Sequence, residues 1–501
     1  MAFEMLTTIL ESGWPKATAV VVPGGPTLTY AALRDEVERV AALLAGAGLR
    51  RGGPVSIILG NSLEYLVTFL AATRAGAVAA PLNPAYTAAE FRFYMEDAGT
   101  RLALLPPGPH EARKAAVTLS IPVIEATSDP AGRVHLSRGD AELTARRDRE
   151  PSGKDDVALF LHTSGTTSRP KGVPLTHGNL LASLKNIRET YKLTPQDVAM
   201  VVMPLFHVHG LLGVAFATFS SGGSIVVPPK FSAGAFWEVQ HSSGATWYSA
   251  VPTIHKILLD RADQDSAPHK SFRFIRSCSS PLSASLLGRV EERFGAPVLE
   301  AYGMTEASHQ MSSNPLPPGR RLAGTVGQGT GVRIAIMDEN GFKLPSGERG
   351  EVVIQGPNVT RGYRNNPGAN TKSFTDGWFR TGDQGFLSPD GYLTLTGRLK
   401  ELINRGGEKI SPIEVEEALL AHPAVSEVVC FALPDAKYGE AVQAAVVLRT
   451  DCGEAALRVF CQERLAAFKV PDRIFVAEEL PRTATGKVQR RHVAAKFAGQ
   501  A

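Results

Sequence analysis

Residues 157–172 read VALFLHTSGTTSRPKG, an apolar run that breaks into hydroxyls and glycines and closes on a lysine. Val157, Ala158, Leu159, Phe160 and Leu161 have the texture of a strand buried on both faces. The polar loop therefore sits at a strand's carboxyl end, where open α/β sheets take their ligands. Thr163, Ser164, Gly165, Thr166, Thr167 and Gly172 offer backbone N–H groups beside small side chains, and Lys171 adds a compact positive charge. A polyphosphate requires those two things together. The order is not the Walker pattern, because Gly172 follows the lysine and Arg169-Pro170 precede it. A flexible surface loop of serine, threonine and glycine would account for a run half this long.

Helical and strand patterns alternate on both sides of the loop. Leu33, Val37, Val40 and Leu44 share one helical face that Gly46 and Gly48 end, a strand follows at 55–59, a helix at 63–75 and a strand at 77–82. A helix over 179–191 and strands over 198–203 and 224–227 continue the series after the loop. This alternation predicts α/β architecture with parallel-type sheets. Beyond Gly324 short strands and turns predict an antiparallel, β-rich subdomain. A boundary is expected at Arg398, giving a large N-terminal domain over 1–398 and a small α+β domain over 399–501. In the latter, Ser411-Pro412-Ile413-Glu414 predicts a helix start with a capping box, followed by strands at 425–433 and 442–448, a helix at 454–466 and a strand at 473–476.

A chain of 501 residues exceeds one ordinary core, and 44% hydrophobic with 20% charged residues is globular composition. Its 53 basic and 49 acidic residues nearly cancel, which gives no reason to expect a nucleic-acid partner. Cys278, Cys430, Cys452 and Cys461 form no C-x-x-C pair and suit packed thiols in a reducing compartment. The start MAFEMLTTILESGWPK lacks a basic region before an apolar block, no apolar stretch is long enough to span a bilayer, and the final AGQA is no peroxisomal address. A cytoplasmic protein without membrane partner, monomeric or homodimeric, is the expectation. Residues 327–331, GQGTG, are not a dinucleotide fingerprint, because β-type residues follow them. Trp247-Tyr248 reads as core packing.

Five motifs in order resemble the adenylate-forming superfamily of acyl-CoA synthetases, luciferase-like enzymes and peptide-synthetase adenylation domains. They are the loop at 163–172, AYGMTE at 301–306, WFRTGD at 378–383, GRLKELINRGGEKISPIEVE at 397–416 and PRTATGK at 481–487. The resemblance spans nearly the whole chain. It implies attack of a carboxylate on the α-phosphorus of ATP, with Mg2+ as cofactor and ATP and CoA as co-substrates. By that resemblance Thr163, Ser164, Gly165, Thr166, Thr167 and Lys171 hold the β- and γ-phosphates, and Ser279, Ser280, Glu300, Ala301, Tyr302 and Gly303 border the nucleotide. Tyr302 stacks on adenine, Thr305 contacts the α-phosphate, Glu306 ligates magnesium, and Asp383 and Arg398 take the ribose. Lys487 bridges carboxylate and phosphate during adenylation. Lys400 is the hinge, and Gly406 and Gly407 line the CoA channel in a second pose.

MPLFHVHG at 203–210, IRSCSSPL at 275–282 and TEASHQMSSNPLP at 305–317 resemble the oxalate-activating branch of that superfamily. His207, Ser279 and His309 would line the acyl site, with His207 also a gate. A fatty-acid tunnel needs apolar walls, whereas a short dicarboxylate brings a second anion that is costly to bury without donors. His209 and His255 read as core residues. Arg276 reads as pointing elsewhere, so no ion pair to the distal carboxylate is predicted. A ligase for another small or medium-chain acid, or luciferase-like oxidation of the adenylate, are the alternatives.

Overall fold

The computed structural model describes residues 5–139, 141–146, 150, 152–163, 170–262, 272–483 and 486–499. Two large sheets, each with a parallel core, form the body of the α/β fold. One runs in the order Lys171–Thr176, Val157–Thr163, Val78–Pro81, Pro54–Ile57, Leu102–Leu105, Val123–Ser128, Val134–Arg138 and Ala141–Glu142. The helix Leu63–Arg74 packs beside it, buried on nearly every face and capped by the Ser62 hydroxyl. The other sheet runs Gln328–Gly329, His309–Ser313, Val298–Met304, Phe274–Ser277, Trp247–Ala250, Val198–Met200, Ser224–Val226, Thr18–Val21 and Thr27–Thr29. Trp247 and Tyr248 are fully buried, as the sequence suggested.

The helix read at 179–191 is His177–Thr190. Thr176 caps it reciprocally with Asn179, a box whose third residue is Asn rather than Glu or Gln. The strand expected before the phosphate loop is Val157–Thr163; it pairs antiparallel with Lys171–Thr176, and Lys171 lies opposite Thr163. Gly172 lies on the second of these strands, where a Cβ would meet Phe160 Cζ at 2.4 Å; its missing side chain answers packing rather than phosphate approach.

The antiparallel region predicted after Gly324 is a five-stranded sheet of Arg333–Met337, Gly350–Gln355, Trp378–Leu387, Phe374–Thr375 and Leu393–Arg398. The turn Leu399–Glu401 then leads into a separate sheet of Glu408–Ile410, Ile403–Arg405, Gly439–Leu448, Val425–Asp435 and Arg473–Val476, with its own apolar core around Val415, Leu419, Val442 and Leu457. Helix Pro412–Leu420 starts on Ser411 as predicted, but the Glu414 carboxylate pairs with Lys469 at 2.6 Å, so the box closes on one side only. Helix Glu454–Gln462 is shorter than predicted. All four cysteines are free thiols. Among the described residues no helix is long and apolar enough to cross a membrane.

Candidate active site

The phosphate end of the site lies where the strand Lys171–Thr176 meets the turn Thr305–Ala307. Among the described residues the buried Thr163 Oγ1 has no hydrogen-bond partner, while Ser164, Gly165, Thr166 and Thr167 lie outside them. The Lys171 ammonium sits 4.0 Å from the centroid of the Tyr363 ring. Tyr363 in turn donates its hydroxyl hydrogen to Glu306 Oε1 at 2.8 Å. Burial lowers the Lys171 pKa against the opposing pull of Glu306, and Lys400 and Arg398 lower it further. Glu306 is buried, and desolvation raises its pKa. Thr305 opens the 3-10 turn Thr305–Ala307 and is half-buried beside it.

Strand Val298–Met304 carries Glu300, Ala301, Tyr302 and Gly303 past this point. The Tyr302 hydroxyl donates to Asp383 Oδ2, and Asp383 Oδ1 forms an ion pair with Arg398 Nε at 2.9 Å. Asp383 and Arg398 are opposite one another across two antiparallel strands, which fixes the pair. Glu300 Oε1 accepts from the Leu282 amide at 3.3 Å, but Oε2 is buried without a partner, and desolvation raises the carboxyl pKa to about 8. Gly303 is required where the strand meets its neighbour, since a Cβ would lie 2.1 Å from His309 O.

Lys487 reaches the same cleft from the end of the chain. Arg482 Nη1 donates to Thr253 Oγ1 at 2.9 Å and to Gly486 O at 3.1 Å, and its Nη2 pairs with Glu427. These contacts fasten the tail turn to helix Pro252–Ala262. The Lys487 side chain lines an open cleft with its own surface exposed, yet desolvation by the surrounding protein lowers its ammonium pKa, and Arg398 adds repulsion. Lys400 stands exposed in the turn joining the two sheet systems, next to Gly397, whose φ of 148° favours glycine. Gly406 and Gly407, with φ of 61° and 97°, form the tip of a tight hairpin in the small sheet.

The acyl motifs converge on one polar cluster. His309 lies with its ring stacked on that of His209 at 5.2 Å, and its buried Nε2 has no hydrogen-bond partner among the described residues. His209 Nδ1 is 3.0 Å from Ser279 Oγ, and His209 Nε2 is 2.6 Å from Ser249 Oγ. Ser279 and His309 hold φ of 73° and 94°, a strained left-handed backbone that the surrounding structure must impose. Ser280 follows, half-buried. His207 caps the next turn, accepting from the His209 amide at 3.2 Å; desolvation, then Lys487, lowers its pKa to about 4. His209 and His309 are held well below the usual imidazole range by burial and then by Arg276. His255 packs against Tyr248, accepting or donating at 3.0 Å, and takes no part in the cluster.

The residues that surround this cleft match known proteins over their whole length. The AMP-binding enzyme family matches residues 11–364, and the AMP-binding enzyme C-terminal domain matches residues 414–487. The chain belongs to the AMP-binding enzyme family. It is similar to an oxalate–CoA ligase of Arabidopsis thaliana, 50% identical and covering 99% of each chain, and to an oxalate–CoA ligase of Saccharomyces cerevisiae, 46% identical and covering 96% of this chain and 94% of the other. In structure it is similar to ATP-bound MatB from Rhodopseudomonas palustris, with a TM-score of 0.90, 33% identity and 98% of each chain covered.

Arg276, read from the sequence as pointing elsewhere, has a fully buried guanidinium bonded to Tyr191, Ser249 and Gln310, close to the two stacked histidines. Strand alternation could have placed it on the same face as Phe274, yet nothing in the sequence says which neighbours that face meets. Tyr363, Ser249 and Gly213 were likewise unread. A Cβ on Gly213 would lie 2.4 Å from His309 Nε2.

Proposed function

We propose that this AMP-binding enzyme is an oxalate–CoA ligase, converting oxalate, ATP and CoA to oxalyl-CoA, AMP and diphosphate through an oxalyl adenylate. One observation carries the acid's identity: the acyl end of the cleft gathers His207, His309 and Ser279, with the buried Arg276 behind them, rather than apolar side chains. An acid whose second carboxylate is bonded directly to the reacting one finds donors there; an alkyl chain finds none.

The nucleotide end fits the rest of the reaction. Lys171, Arg398, Lys400 and Lys487 crowd the cleft: after desolvation, Arg398 and Lys400 lower the Lys171 pKa and Arg398 lowers that of Lys487. Such crowding is relieved by a polyanion, so the triphosphate binds where its charge is already matched. Tyr302 would stack on adenine, Asp383 and Arg398 would take the ribose hydroxyls, and Thr305 would meet the α-phosphate. Among the described residues no group of three or more acidic, histidine or cysteine side chains forms a metal cage. A single buried carboxylate suits Mg2+, which keeps its waters and takes most ligands from phosphate oxygens. Glu306 would hold it, and the ion would neutralise charge developing on the phosphates.

Lys487 would steady the attacking carboxylate and the α-phosphate while His207 closes over the acid. For thioester formation the part beyond Arg398 would swing about Lys400, taking Lys487 out and bringing Gly406 and Gly407 to line a channel for pantetheine. This assigns 1–398 as the adenylation domain and 399–501 as the mobile one. AMP release with and without CoA over oxalate, malonate, glyoxylate, acetate and octanoate tests the reading. Octanoate turning over faster than oxalate would refute the acid, and loss of Mg2+ dependence would refute the role of Glu306.

A further inference from the structure

Arg276 is among the largest fully buried side chains of the molecule. It donates from Nε to the Tyr191 hydroxyl at 2.8 Å, from Nη1 to Ser249 Oγ at 3.1 Å and from Nη2 to Gln310 Oε1 at 3.1 Å. These three acceptors are neutral, the Cys278 side chain also lies against the guanidinium, and no carboxylate among the described residues pairs with it. A buried cation with no carboxylate beside it is costly, and packing alone would be met by an apolar residue of similar volume.

The guanidinium also has a polarity, because it can only donate. Ser249 Oγ accepts from Nη1, and its own hydrogen has one partner among the described residues, His209 Nε2. A neutral imidazole that accepts at Nε2 carries its proton on Nδ1. Nδ1 then donates to Ser279 Oγ. Ser279, half-buried at the cleft, is left with a hydroxyl hydrogen to give. The other tautomer would leave the Ser249 hydrogen buried without an acceptor, and Ser279 would spend its hydrogen on His209.

We infer that Arg276 is a positioning residue for the acyl site: through Ser249 and His209 it orients the Ser279 hydroxyl as a donor to the bound acid, and its uncompensated charge selects an acid with a second anion. This rests on the reading of that acid as oxalate. His309 Nε2 and Arg276 Nη1 lie 2.4 and 3.3 Å from the point a Gly213 Cβ would occupy, so the ring nitrogen and the cation pack side by side against Gly213. Only the imidazole layer of His209 and His309 then stands between the charge and Ser279.

The test uses the full-length enzyme, wild type, Ser249→Ala, Arg276→Lys and Arg276→Met, on oxalate and on glyoxylate, which replaces the second carboxylate by an aldehyde. ATP KM and thermal melting report on the rest of the fold. Ser249→Ala is expected to raise oxalate KM about 10- to 100-fold, as loss of a hydrogen bond to a charged group does, with ATP KM within about twofold. Arg276→Met is expected to collapse the preference for oxalate over glyoxylate, and Arg276→Lys to restore that preference without restoring KM. Should Arg276→Met fail to fold, Ser249→Ala decides. A folded Ser249→Ala enzyme with wild-type oxalate KM and wild-type preference overturns the inference. A wild-type enzyme inert to oxalate overturns the earlier reading instead.

Discussion

Replacing Gly213 by alanine adds one carbon at the tightest point behind the acyl site. The new Cβ would stand 2.4 Å from His309 Nε2, 2.6 Å from its Cδ2 and 3.3 Å from Arg276 Nη1. Ordinary contact begins near 3.4 Å, so the imidazole must retreat by about 1 Å. Retreat is blocked, because its other face lies on the His209 ring with an interplanar angle of 24°. The backbone raises no objection: Gly213 is helical, within the buried π-helical turn Leu211–Phe216. The whole cost is therefore steric. Overpacking of this kind lowers stability by about 1–3 kcal/mol. A group displaced by about 1 Å from the reacting acid costs on the order of 100-fold in kcat/KM. Oxalate-dependent ATP–diphosphate exchange measures the second quantity, with ATP KM as control, and thermal melting the first. A folded G213A enzyme exchanging at the wild-type rate with unchanged oxalate KM would refute the placement of His309 beside the acid.

Lys487→Ala is expected to slow adenylation by on the order of 10²–10³ while sparing thioester formation from preformed oxalyl adenylate; rapid-quench assay of each half-reaction separates the two. Arg482→Ala removes the bonds to Thr253 and Gly486 that fasten the tail turn, and should lower adenylation by about tenfold, again without slowing the second half-reaction, in the same assay. Glu300 has its folded-state pKa raised to about 8 by desolvation, from an ordinary value of 4.5. A raised folded pKa contributes stability that is full below the unfolded value and is lost as pH rises through the folded one. Wild-type melting temperature should therefore fall relative to Glu300→Gln between pH 4.5 and 8, and parallel melting curves across that window would contradict it.

Much of the reaction's chemistry is local and could be read from the chain alone. A hydroxyl and glycine run after a buried strand, a Tyr-Gly-x-Thr-Glu turn and a lysine in a threonine- and glycine-rich tail each bring their functional groups within a few residues. Periodicity likewise located the parallel sheets, the antiparallel region after Gly324 and the second sheet after Arg398, because burial on one or both faces leaves its mark at spacings of two and three to four residues. The antiparallel pairing of Lys171 with Thr163 was not legible, since nothing between Thr163 and Lys171 distinguishes a turn back from an entry into a helix. Asn179 closing the cap of Thr176 hid the start of its helix for a similar reason.

Tertiary structure alone decided which side chains face one another across the acyl site. Arg276 and Ser249 lie on separate strands and His209 and Gly213 one turn apart on a third, helical segment, and the meeting of the three depends on strand order and register. A buried arginine and a core serine look like ordinary packing in a linear sequence. Only when neighbouring strands bring them against two histidines does the direction of each hydrogen bond become determined, because the guanidinium can only donate and every partner must then answer it.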